Sequence, residues 1–141
     1  MSAAVVDASV WVSRLVPQDV HHSVSRMWLE RHAAAGDPLI APVLALPEIA
    51  AAIARRTGDS SLAHQAMQAV LRIPVLRLVD VDARLARSAA RLAADHALRG
   101  AHAVYAALAL ELGLPLVTLD REQRDRAGAV LTARAPGVTT E

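Results

Sequence analysis

Two short apolar runs, far apart in the chain, each meet an aspartate with a hydroxyl residue two positions away. The first is Ala3-Ala4-Val5-Val6-Asp7-Ala8-Ser9 and the second is Pro115-Leu116-Val117-Thr118-Leu119-Asp120. Taken alone, an Asp after a strand is as readily a helix N-cap as a functional group. Two at equivalent strand ends favour function, because ligands of open α/β sheets bind beyond the carboxyl ends of the strands. Two carboxylates delivered there suit a cation. A third acid, Glu48, is the only charge between Val43 and Ala54, a stretch rich in Ala, Leu and Ile. Such a carboxylate either escapes to solvent near the positive end of its helix or meets a cation.

The elements that must position these residues follow from pattern. Residues 3–7 are expected as a short buried strand and Val75–Val79 as a second clear strand, with a brief strand at Leu39–Ala41 and further strands at Pro115–Leu119 and Ala129–Ala133. Helices are expected over Val10–Val16, stopped by Pro17, and from an Asp19 N-cap to Ala35, ended by Gly36-Asp37-Pro38. Further helices cover Val43–Arg56, Ser60–Ile73 behind an Asp59 cap, Asp82–His96, Ala101–Leu112 closed by Gly113, and Arg121–Ala127. Alternating strands and helices imply an α/β fold: a three-layer α/β/α arrangement with a mainly parallel central sheet. A single domain over residues 1–135, with a loose tail at 136–141, accounts for the whole chain.

Composition narrows the chemistry. With no cysteine, disulfides and Cys-ligated zinc are excluded. All fifteen basic residues are arginine, and the net charge is only +1, too small for a strong nucleic-acid footprint by itself. The absence of lysine removes P-loop enzymes, receiver domains and dehalogenase-like phosphatases, which need one; the last also use Asp-x-Asp where this chain has Asp7-Ala8-Ser9. No charged leader or apolar run of roughly 18 residues stands out, so a cytoplasmic protein without membrane contact is expected.

Four stretches together resemble the PIN-domain family, in particular the VapC-type toxins of toxin–antitoxin pairs. They are Val5-Val6-Asp7-Ala8-Ser9, the Leu46–Ile53 segment around Glu48, the Leu98–Ala109 segment around Arg99-Gly100-Ala101-His102, and Leu116-Val117-Thr118-Leu119-Asp120. The resemblance runs from Val5 to about Val130. It implies an α/β/α nuclease whose carboxylates hold Mg2+ or Mn2+ for hydrolysis of RNA phosphodiesters. By resemblance, Asp7, Glu48 and Asp120 are catalytic and metal-binding residues, and Ser9 and Thr118 support them. It also implies an RNA substrate, a VapB-like antitoxin partner and a homodimer.

One position departs from that pattern. The family's third acid is replaced by His102, and no acid between Asp95 and Glu111 substitutes for it. The pocket loses one negative charge if the imidazole is neutral and effectively two if it is protonated. Mg2+ takes imidazole poorly, whereas Mn2+ accepts it. His102 is therefore either a metal ligand or a pocket histidine bonded to Asp7 or Asp120. The substitution predicts weakened Mg2+ binding and low or absent nuclease activity, and it favours, as the alternative to a ribonuclease, a PIN domain that binds RNA or a protein without cutting. Arg99 and Arg121 are expected as phosphate contacts. Arg55-Arg56 are expected to close their helix, Trp11 and Trp28 to sit in the core or an interface rather than to stack on bases, and Tyr105 to pack.

Overall fold

A computed structural model describes residues 2–138. Among these residues five strands, β1 (Ala4–Val6), β2 (Leu39–Pro42), β3 (Leu76–Val79), β4 (Leu116–Val117) and β5 (Ala133–Arg134), form one sheet in the order β3-β2-β1-β4-β5. Every pairing is parallel. The expected mainly parallel sheet is thus entirely parallel. Among the described residues seven helices flank it: α1 (Ala8–Leu15), α2 (His22–Ala35), α3 (Ala45–Thr57), α4 (Ser60–Leu71), α5 (Ala83–His96), α6 (Gly100–Leu112) and α7 (Arg121–Ala127).

The strand order places the reversal of chain direction across the sheet between β1 and β4. Strands 1, 2 and 3 run outward to one side and strands 4 and 5 to the other. That gap is the topological switch point, where ligands of doubly wound sheets bind. β1 is fully buried, as a central parallel strand covered on both faces must be. α6 packs against β1, β2 and β4 and pairs with α5. Its run of buried small residues, Ala103, Ala106, Ala107 and Ala109, allows that close approach. Trp11 and Trp28 are buried, as expected for core residues.

Several boundaries differ from the sequence reading. The first strand stops at Val6, because Asp7 caps α1, accepting the Ser9 N–H at 2.9 Å. Asp19 does not cap the second helix. The chain first turns through Asp19–His22, and Asp19 Oδ1 accepts the His21 N–H at 2.8 Å in that turn. The last strand lies at Ala133–Arg134 rather than Ala129–Ala133, since Val130 and Leu131 bond back to the Ala127 carbonyl. Of the segment expected to be a loose tail, Pro136 is buried and Gly137 lies against Val24 of α2; residues 139–141 fall outside the described residues. Among the described residues no helix is long and apolar enough to cross a membrane.

Trp11 joins α1 to this core with 1% of its surface exposed. Replacing it by Ala is expected to cost about 3–5 kcal/mol in urea unfolding; a loss under about 1 kcal/mol would show that α1 packs elsewhere.

Candidate metal centre

Asp7 and Asp120 reach one cleft from the carboxyl ends of adjacent strands. Their backbones are tied: Asp7 N–H donates to the Val117 carbonyl at 2.9 Å, and Leu119 N–H donates to Ser9 Oγ at 3.1 Å. Each aspartate also caps the helix that follows. Asp7 Oδ2 takes the Ser9 N–H, and Asp120 Oδ1 takes the Gln123 N–H at 2.8 Å. The capping and site readings are therefore not rivals. One oxygen of each carboxylate orients the group while the residue lines the cleft.

Below the acids lies a buried polar chain that sequence reading foresaw only in part. Thr118 Oγ1 donates to Gln123 Oε1 at 2.7 Å and accepts the Asp120 N–H at 3.1 Å. A threonine has one hydroxyl proton, so at the 3.4 Å contact between the two hydroxyls Ser9 Oγ is the donor. Gln123 is fully buried and its Nε2 reaches the His102 carbonyl at 3.4 Å, linking α7 to α6. Ser9 and Thr118 were legible from their spacing to the acids; Gln123 was not.

α3 brings Glu48 to the same cleft, together with Ala52, Arg55 and Arg56. Glu48 Oε1 accepts the buried Tyr105 hydroxyl at 2.8 Å. Tyr105, expected merely to pack, thus fixes a site carboxylate. Burial raises the Glu48 carboxyl above its ordinary range; the Tyr105 hydrogen bond opposes that, the Asp7 charge adds to it, and His102 opposes it. Burial also pushes the Tyr105 hydroxyl far up, helped by the neighbouring Glu48 and Asp7 charges, so it stays protonated as a donor. His102 enters from the first turn of α6, with Nε2 4.0 Å from Asp120 Oδ2.

The cleft holds about 460 Å³ and is lined by four carboxylates, Asp7, Asp19, Glu48 and Asp120, against two guanidinium groups, those of Arg55 and Arg56. Arg99 and Arg121, expected as phosphate contacts, are exposed and do not line it. Arg99 stands at the N-cap of α6 and Arg121 opens α7, next to the acids in sequence but turned to solvent.

The donor chemistry fits a hard divalent cation, which prefers oxygen ligands. The rise in the Glu48 pKa comes first from burial and in lesser part from the Asp7 charge, and that lesser part is like-charge repulsion that a cation would relieve. As placed, however, no three His, Asp or Glu side chains among the described residues lie close enough to enclose an ion. Asp7, Glu48, Asp120 and His102 share the cleft without forming a ready-made ligand cage.

A PIN domain family model matches residues 4–129. No curated protein matches the sequence significantly. Among solved structures, the fold is similar to Mycobacterium tuberculosis VapC20, described as a sarcin-ricin loop cleaving toxin, with a TM-score of 0.72 and 23% identity over 92% of this chain and 96% of that one. It is also similar to VapBC2 from Rickettsia felis bound to a promoter DNA fragment, TM-score 0.71 and 13% identity over 94% and 98% of the two chains. FitAcB from Neisseria gonorrhoeae gives a TM-score of 0.71 and 17% identity over 94% and 97%.

The raised Glu48 pKa has a stability consequence. The folded state holds the proton more tightly than the unfolded chain, so its stabilising share is complete below the ordinary value of 4.5 and is lost as pH rises through the higher folded value. Glu48→Gln keeps an acceptor for Tyr105 and cannot ionise. In EDTA it is expected to be more stable than the parent at neutral pH, with the gap closing under acid conditions. Parallel stability–pH curves from urea unfolding would contradict this.

Proposed function

Because the chain belongs to the PIN-domain family, we propose that it is a metal-dependent ribonuclease of the VapC toxin type, hydrolysing RNA phosphodiester bonds. One observation carries the proposal: Asp7, Glu48 and Asp120, from three separate elements, line a single cleft at the switch point of a parallel sheet. The similarity in fold to an RNA-cleaving toxin supports the substrate class. Similarity to toxin–antitoxin assemblies supports a VapB-like antitoxin as partner. Homodimerisation and a cytoplasmic location complete the reading.

Asp7, Glu48 and Asp120 would hold Mg2+ or Mn2+. When bound, such an ion neutralises charge on the phosphoryl group and makes water a better nucleophile at neutral pH. The protein's own part is positional. The two N-cap hydrogen bonds hold Asp7 and Asp120 in place before any substrate arrives. Tyr105 does the same for Glu48. Prior orientation of this kind avoids reorganisation during reaction.

His102 supports a second reading, a PIN domain that binds RNA or a protein without cutting it. Its Nε2 faces Asp120 Oδ2, where a carboxylate would add negative charge and an oxygen donor. Between the two, the retained acids favour the enzyme, with the histidine lowering Mg2+ affinity and making Mn2+ the better ion.

Cleavage of a single-stranded RNA should therefore be stronger with Mn2+ than with Mg2+. His102→Asp is expected to raise Mg2+-dependent cleavage about tenfold or more, in line with the size of ligand effects at metal sites. Asp7→Asn should abolish it with either ion. Full Mg2+-dependent turnover that His102→Asp leaves unchanged would overturn the role given to the histidine.

A further inference from the structure

The helix that delivers Glu48 carries two cations to the same cleft. Positions 48, 52, 55 and 56 fall on one face of α3, and all four line the cleft. At 1.5 Å of rise per residue, the arginines stand about 10–12 Å along the axis from Glu48. They are the only Lys or Arg side chains lining the cleft among the described residues. The acidic end and the basic end of the cleft are therefore separated by roughly two helical turns.

The two arginines differ in their surroundings. Arg56 NH1 donates to Asp19 Oδ2 at 3.0 Å. Asp19 is itself anchored, accepting the His21 N–H at 2.8 Å and the Ser13 hydroxyl at 3.2 Å. Partial burial alone would raise the Asp19 pKa, but these hydrogen bonds and the Arg56 charge bring it below its ordinary value. The carboxylate is thus a fixed anchor for one edge of the Arg56 fork, and a guanidinium has five N–H donors to share. Arg55 is exposed and has no ion-pair partner among the described residues.

We propose that Arg55 and Arg56 form a phosphate subsite for single-stranded RNA, flanking the carboxylates, with Asp19 holding the Arg56 guanidinium in place. The inference rests on the ribonuclease reading and adds where the strand is gripped. Clustered carboxylates repel a polyanion. A strand whose reacting phosphate must sit beside them gains from an anchor on a neighbouring phosphate, which guanidinium groups bind through paired hydrogen bonds. The distance from Glu48 assigns the arginines to that neighbour rather than to the reacting group. Such an anchor lowers the salt tolerance of binding, because each neutralised phosphate releases counterions.

The test is equilibrium binding of an unstructured RNA oligonucleotide in EDTA over a series of salt concentrations, so that cleavage plays no part. Arg55→Ala is expected to weaken binding several-fold and to reduce the slope of log K against log salt by about 0.7, the value for one single-strand phosphate contact. Arg56→Ala should do likewise. Asp19→Asn should weaken binding while keeping the slope, since it frees the fork without removing its charge. Arg91→Ala, on the exposed face of α5 away from the cleft, controls for net charge and should leave the slope unchanged. Wild-type affinity and slope in Arg55→Ala and Arg56→Ala, or an equal change in Arg91→Ala, would overturn the subsite alone. No RNA binding by the unaltered chain in EDTA would overturn the subsite, whereas absence of RNA cleavage with both Mg2+ and Mn2+ would overturn the ribonuclease reading on which it rests.

Discussion

The parallel pairing of β1 with β4 is the constraint on which the site depends. It sets Val5 beside Leu116 and Val6 beside Val117, so both strands end at the same level and release Asp7 and Asp120 into one cleft. The hydroxyls of Ser9 and Thr118, 109 residues apart in the chain, then meet at 3.4 Å. A slip of one residue would turn the side chains of one strand to the opposite face and separate the acids. Full burial of β1 guards against such a slip. Thr118 and Gln123 extend the lock through α7 to the backbone of α6, so the position of His102 depends on the same pairing.

Charge is the second organising term. Glu48 is desolvated beside Asp7, a placement that costs free energy in the absence of a positive partner. Tyr105 offsets part of that cost with a hydrogen bond that also fixes the carboxylate. His102 Nε2 lies 4.0 Å from Asp120 Oδ2, and its charge also opposes the rise at Glu48, so the imidazole acts on both sides of the cleft. Toward the other end of the cleft, Asp19 and Arg56 form their own pair. The two ends thus differ in kind: carboxylates that want a cation, and guanidinium groups that want an anion.

Much of this was legible in the sequence because the signals are local. An apolar run, an acid and a hydroxyl two residues away mark the end of a buried strand whatever the strand's partners. Glu48 stood out as a lone charge on an apolar helix. The partners of these acids were not legible. Tyr105 meets Glu48 across 57 residues of chain, and only the packing of α6 against the sheet makes that contact. Arg55 and Arg56 could have been found from their helical spacing to Glu48, whereas Arg99 and Arg121 show that adjacency in sequence does not set direction. Asp19 shows the limit of capping rules: its residue type fits an N-cap, but the backbone turns once more before α2 begins.

The central claim is that the cleft at the β1–β4 switch point binds a divalent cation through Asp7, Glu48 and Asp120. A crystal structure of the protein soaked in Mn2+, with the ion located by its anomalous scattering, tests it most directly. The account predicts an ion in the cleft with oxygen ligands from these three residues and His102 turned toward it or toward Asp120. An empty cleft at saturating Mn2+, or an ion bound elsewhere on the chain, would contradict it.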